Sequence, residues 1–122
     1  MEIYGLEHYP MIAKWMEGRD MQLAPKSFLP RTGFVVKDVA CGFILCTGTG
    51  VCFFEYFYTN PEKSPIERGR AIEKISKELI YAAKEMGIKN IVTRVDKNGY
   101  KRMAKRLGFK EVGEFTSLVK EL

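Results

Sequence analysis

Residues 51–59 read VCFFEYFYT. Nearly every side chain is β-branched or aromatic, the composition of a strand. Strict alternation puts Cys52, Phe54, Tyr56 and Tyr58 on one face and Val51, Phe53, Glu55, Phe57 and Thr59 on the other. Both faces are apolar, which predicts a central strand covered on both sides. Glu55 then stands as a carboxylate among aromatics. Ionising it there without a partner is costly, which suits it to accept a proton from an amine. Pairing with a nearby Arg or Lys, or water at a sheet opening, is the structural alternative.

Upstream, Gly33–Lys37 and Val39–Thr47 carry the same strand composition. Lys37-Asp38 and Gly48-Thr49-Gly50 supply turns, so the three strands predict an antiparallel meander. Glu2–Leu6 is a short first strand, and Tyr9–Glu17 a brief helix with Ile12, Trp15 and Met16 on one stripe and Gly18 as its stop. Residues 19–32 hold two prolines and no period, the pattern of a loop.

Downstream, SPIERGRAIEK (64–74) begins a helix: Ser64 is the N-cap, Pro65 the first helical residue and Glu67 the third position of a capping box. Ile72, Ile75, Leu79, Ala83 and Met86 trace one face to Met86, and Gly87 stops it. Ile91–Val95 is a strand, Asn98–Leu107 a helix ending at Gly108, and Phe109–Val112 and Phe115–Lys120 are closing strands. Strands 51–59 and 91–95 flank the long helix, the order of a right-handed parallel crossover. The prediction is an α/β (α+β) domain spanning residues 1–122. Its mixed, mostly antiparallel sheet holds a central parallel pair, with helices on both faces.

At 122 residues the chain suits one core. It lacks the ~20-residue apolar run of a membrane span and a secretory signal, so the expected compartment is the cytoplasm. Cys41, Cys46 and Cys52 match no zinc or redox spacing and read as small buried hydrophobes; His8 has no neighbouring ligand, so no metal site is expected. The net charge is +5, and six lysines and arginines crowd between Lys97 and Lys110. Such a run is a solvated helix face, or a surface for a nucleotide phosphate or nucleic acid.

In element order the chain resembles the GNAT superfamily of N-acetyltransferases. It is most similar to small GNAT-like proteins of phages and prophages. The resemblance rests on Trp15 and Gly18, LP-x-x-G (Leu29, Pro30, Gly33), A-x-GF (Ala40, Gly42, Phe43), E-x-x-x-x-NP (Glu55, Asn60, Pro61) and GF (Gly108, Phe109). It implies acetyl-CoA as co-substrate, lying where strand 51–59 parts from strand 91–95. Backbone near Phe57, Tyr58 and Thr59 would bind the pantetheine. Amides at the start of the long helix (Arg68, Gly69, Arg70, Ala71, Ile72) would hold the pyrophosphate, and the basic run, with Lys101, the nucleotide's 3′-phosphate. A primary amine would attack the thioester directly, with Glu55 as general base.

The pattern departs in places. The family's loop is Q/R-x-x-G-x-G/A; here Arg68 fills the first position, Ala71 the first glycine and Glu73 the last. A tyrosine four residues before GF often protonates the leaving thiolate; that place is Ala104, with Tyr100 one turn earlier. Asn98 lies one residue from a family asparagine. Three functions follow: an acetyltransferase for a small-molecule or protein amine, a catalytically lapsed binding or assembly module of phage type, and a nucleic-acid binder. The last is disfavoured because the aromatics read as buried. The family's closing strands often pair between subunits, which makes a homodimer a further expectation.

Overall fold

The computed structural model describes residues 1–17, 19, 23–95, 98–114, 116 and 118–122, with Asn98 described by its backbone alone. Five strands form one sheet in chain order: β1 (Glu2–Ile3), β2 (Thr32–Val36), β3 (Ala40–Cys46), β4 (Val51–Thr59) and β5 (Asn90–Val92). The first four are antiparallel neighbours and β4–β5 is parallel. The chain makes that parallel return through α2 (Pro65–Glu85).

Helices cover both faces. Under α2, Ile72, Ile75, Leu79 and Ala83 bury against Ala40, Ile44 and Cys52, and Met103 of α3 (Asn98–Arg106) joins them. On the opposite face Ile12 and Trp15 of α1 (Tyr9–Trp15), with Met16 just beyond it, pack on Val35, Cys41, Phe43 and Tyr58. The stripe read from the sequence is thus the buried one. Gly18, the expected stop, lies outside the described residues. Met86 is exposed rather than part of the α2 face, because the helix ends one residue before it.

Local chemistry sets the ends of α2. The Ser64 hydroxyl accepts the Glu67 N–H at 3.1 Å, and Gly87 takes φ 77° after the last turn, a geometry glycine adopts without strain. The loop before α2 is fixed by Asn60, whose side-chain N–H donates to the Asp38 carbonyl at 2.8 Å and whose side-chain oxygen accepts the Glu62 N–H at 2.9 Å.

Three expectations are corrected. Cys46 and Cys52 are not separate buried hydrophobes: they face each other across β3–β4 and form a disulfide, while Cys41 is free and buried. Burial pushes the Cys41 thiol up to about 12, which keeps it protonated and unreactive at neutral pH. No described helix is long and apolar enough to cross a membrane.

Secondly, Phe109–Val112 is not a strand, and no strand occurs among the described residues beyond α3; Phe115 and Ser117 lie outside them. Local β propensity is present there, but strand formation needs a paired neighbour and a covered face, and Val112, Leu118 and Val119 are exposed. Thirdly, β4 does not alternate strictly, with consequences for the site.

Candidate functional site

Between Phe43 and Cys41, β3 advances two residues, while its partner β4 advances three, from Glu55 to Tyr58. The extra residue is a β-bulge, and Tyr56 takes φ 56° within it. A bulge reverses which face the following side chains meet. Cys52 and Phe54 therefore face α2, as does Phe57 beyond the bulge, whereas Tyr56 and Tyr58 lie on the α1 face. This overturns the strict alternation read from VCFFEYFYT. Gly42 lies opposite the irregularity, and a Cβ on it would stand 2.7 Å from the Phe57 ring. The glycine of A-x-GF is thus needed for a close approach.

The same region is where the sheet opens. Pairing of β4 with β5 runs from Val51↔Asn90 to Phe53↔Val92 and stops. From Phe54 onward, β4 presents an edge with no strand beside it among the described residues. Glu55 sits at this parting. It is not sealed among aromatics: its side chain is 25% exposed, and Arg94 donates to it from Nη2 at 3.1 Å. The ion pair spans the gap between β4 and the chain leaving β5.

A second opening lies between α2 and α3. It is a cleft of about 440 Å³ lined by Arg68, Gly69, Arg70, Glu73, Tyr100 and Arg106, among others. Helical spacing explains the grouping: positions 66, 69, 70 and 73 recur at three- and four-residue intervals along one side of α2. Glu73, the carboxylate that departs from the loop pattern, is paired with Arg106 of α3 at 3.2 Å. The Arg68 Nε is buried and has no hydrogen-bond partner among the described residues. A buried donor left unpaired is costly, and here it belongs to a residue that lines the cleft.

The expected site residues divide accordingly. Arg68, Gly69, Arg70 and Tyr100 share the cleft. Ala71 and Ile72 are buried beneath α2, their side chains spent on the core. All five expected loop residues, Arg68 to Ile72, lie within α2. Their N–H groups take part in its i→i−4 ladder, as Arg68 N–H does on the Ser64 carbonyl at 3.0 Å. The amides expected to hold pyrophosphate are therefore occupied.

Phe57, Tyr58 and Thr59 follow the parting of β4, but the Thr59 carbonyl accepts Arg19 Nη1 at 3.2 Å and the Tyr58 hydroxyl accepts the Ala24 N–H at 3.1 Å. Lys101 lies on the other side of α3, in a separate groove, where it pairs with Glu111 at 3.0 Å. Asn98 begins α3, but its side chain is outside the described residues. Sequence reasoning missed Arg94, and placed Arg106 only within the basic run rather than as the partner of Glu73; each arginine lies more than thirty residues from its glutamate.

No protein-family model and no curated protein sequence matches the chain. Its fold is similar to that of a point mutant of TTHA1254 from Thermus thermophilus. The TM-score is 0.68 at 14% identity, over 100% of this chain and 98% of that one. It is also similar to a probable acetyltransferase, with TM-score 0.60 at 18% identity, again over 100% of this chain and 98% of the other. Identities this low establish a shared fold and nothing about residues. The fold is the α+β arrangement of these neighbours: a mixed five-stranded sheet with the parallel pair β4–β5 and helices on both faces.

Proposed function

We propose that the protein is an acetyl-CoA-dependent N-acetyltransferase acting on a primary amine. The observation that carries this reading is the cleft along the start of α2, lined by Arg68 and Arg70, where the Arg68 Nε is buried without a partner among the described residues. A phosphate oxygen would suit such a donor once the guanidinium turns into the cleft. The fold likeness to a probable acetyltransferase points the same way.

The residues fit the cofactor through side chains rather than through a nest of amides. Arg68 and Arg70 of α2 would hold the pyrophosphate, with Arg106 of α3 keeping the Glu73 carboxylate away from it, while Ile66 and Met103 offer apolar wall to the rest. The open edge of β4 beyond Phe53 offers backbone groups to the pantetheine. Acetyl-CoA would supply an activated acetyl thioester. Glu55 would take the proton of the attacking amine, directly or through water, after turning from Arg94. Tyr100 lines the cofactor cleft and is the candidate donor of a proton to the departing thiolate.

Titration with acetyl-CoA at near-millimolar concentration tests the reading, by calorimetry or by the thermal midpoint. Binding to the folded protein raises the midpoint. An unmoved midpoint at saturation rules out the enzyme. The remaining reading would be a fold of this type kept for binding alone, which the occupied amides of α2 favour.

A further inference from the structure

The β3–β4 hairpin ends in a covalent tie. Cys46 and Cys52 stand opposite each other in the register and are joined by a disulfide, 6 residues apart in the chain. Beyond them the Thr47 N–H donates to the Val51 carbonyl at 3.1 Å. The cysteines are then the non-hydrogen-bonded pair next inward, the kind whose Cα atoms approach most closely; here they are 4.2 Å apart. The two sulfurs differ in surroundings. Cys46 is exposed at the end of β3, whereas Cys52 is fully buried in the core under α2.

The same tip holds the start of β5. The N–H groups of Lys89 and Asn90 both donate to the Gly50 carbonyl, at 2.8 and 3.3 Å. Pairing then runs only from Val51↔Asn90 through Cys52↔Ile91 to Phe53↔Val92. Arg94, the partner of Glu55, follows directly after. The disulfide therefore closes the strand pair on which this short strand is laid.

We propose that Cys46–Cys52 is a reversible thiol–disulfide exchange site, attacked at Cys46 by a low-molecular-weight thiol, and that its opening loosens the start of β5. Access decides which sulfur is attacked, and Cys46 is the exposed one. The incoming sulfur bonds to Cys46 as the Cys46–Cys52 bond breaks. The electron pair leaves on Cys52, which takes the proton given up by the incoming thiol. A second thiol attacks the small molecule's sulfur in this mixed disulfide and releases Cys46 as a thiol. Two small-molecule thiols are thus oxidised to one disulfide as the protein's disulfide is reduced. The fold outlasts the opening, because a cross-link around so short a loop contributes least. The tip also keeps its own bonds: the Thr47 hydroxyl donates to the Val51 carbonyl at 3.0 Å and accepts the Thr49 N–H at 3.3 Å. Cys52 stays opposite Cys46, so a small-molecule disulfide can close the bond again. Cys41 takes no part, because it lies on the α1 face of the sheet. The exchange does not depend on acyl transfer.

The test incubates the folded protein with millimolar reduced glutathione, quenches it with acid and maps the cysteines by mass spectrometry. The bond should open in the folded protein, with the glutathione adduct on Cys46, and should reclose in oxidised glutathione. Amide hydrogen exchange at Lys89 and Asn90 should be about tenfold faster in the reduced protein, while Ile75 and Leu79 of α2 keep their protection. Treated with oxidised glutathione, Cys52→Val should take the adduct at Cys46, and Cys46→Ser should stay unmodified at Cys52 until it unfolds. If a variant does not fold, the adduct mapped on the unmutated protein decides which sulfur is attacked. A bond that resists glutathione until the chain unfolds overturns the proposal and leaves a structural staple. So does an adduct on Cys52 as abundant as that on Cys46, or unchanged amide exchange at Lys89 and Asn90 after reduction.

Discussion

Two glutamates meet two arginines across the two openings of this molecule. At the parting of β4 and β5, Glu55 takes Arg94 at 3.1 Å; between α2 and α3, Glu73 takes Arg106 at 3.2 Å. The side chains are 25% and 29% exposed for the glutamates, and 56% and 62% for the arginines. Pairs so alike and so open to water each contribute about 0–1 kcal/mol. What differs is the demand on the carboxylate. On the acyltransferase reading, Glu55 would have to leave its arginine to meet an amine, which a weak pair permits. Glu73 would have to stay with its arginine, away from the cofactor's phosphates, which a weak pair barely secures.

The largest effect should come from the β4 end. Glu55→Gln keeps the shape and removes the proton acceptor, so turnover should fall by about 10²–10⁴-fold. Acetyl-CoA affinity, measured by calorimetry, should hardly change. Affinity lost together with rate would show that the Glu55–Arg94 pair braces the opening rather than serving chemistry.

The α2 end should answer through affinity. Arg68→Ala removes a guanidinium whose Nε is already desolvated. A charge-assisted hydrogen bond of about 1.5–3 kcal/mol corresponds to roughly 10–100-fold weaker acetyl-CoA binding. Arg106→Ala leaves Glu73 unpaired beside the phosphates and should weaken binding by about tenfold. Adding Glu73→Ala should recover part of that loss. A double variant no better than the single one would mean that Arg106 contacts the cofactor itself and is not there to restrain Glu73.

These contrasts show what could be read from the chain alone. Both glutamates stood out by position, Glu55 as a charge in an apolar strand and Glu73 as a bulky residue where a loop wants a small one. Neither pairing did, and Arg106 was marked only as part of the basic run, because partners 39 and 33 residues apart leave no local pattern. The core stripes of α1 and α2 and the ends of β4 were legible, since burial imposes periods of 3.6 and 2. The bulge was not, because alternation runs unbroken through Tyr56 when only the strand itself is read. Gly42 in the neighbouring strand was the available sign. The disulfide was within reach: a turn at Gly48-Thr49-Gly50 sets Cys46 opposite Cys52 by counting outward. The closing strands failed because propensity does not supply a partner.

The bulge can be tested as the support of the β4 opening. Gly42→Ala places a methyl against the Phe57 ring. Overpacking of this kind costs about 1–3 kcal/mol, read as a lower urea midpoint with unchanged slope. If stability falls while acetyl-CoA binding persists, the Phe57 contact braces the β4 end, and the α2 end binds independently of it. Loss of both would join the two openings into one unit.

The smallest effect lies beyond α3, where a third carboxylate shows how little an exposed tie contributes. A hydrogen bond from Lys101, first, then the charges of Lys101 and Lys105, hold the Glu111 carboxyl below the usual glutamate value of 4.5. A lowered folded value means the folded chain favours the ionised form. The tie is then present above the unfolded value and is lost as pH falls through the folded one. An NMR titration should therefore place the Glu111 midpoint below that of an unstructured glutamate. Lys101→Ala should bring it back most of the way, and Lys105→Ala less. Global stability should scarcely follow, because the pair is exposed. A cooperative loss of structure at the same midpoint would instead mean that the chain after α3 is bound to the core as firmly as either opening.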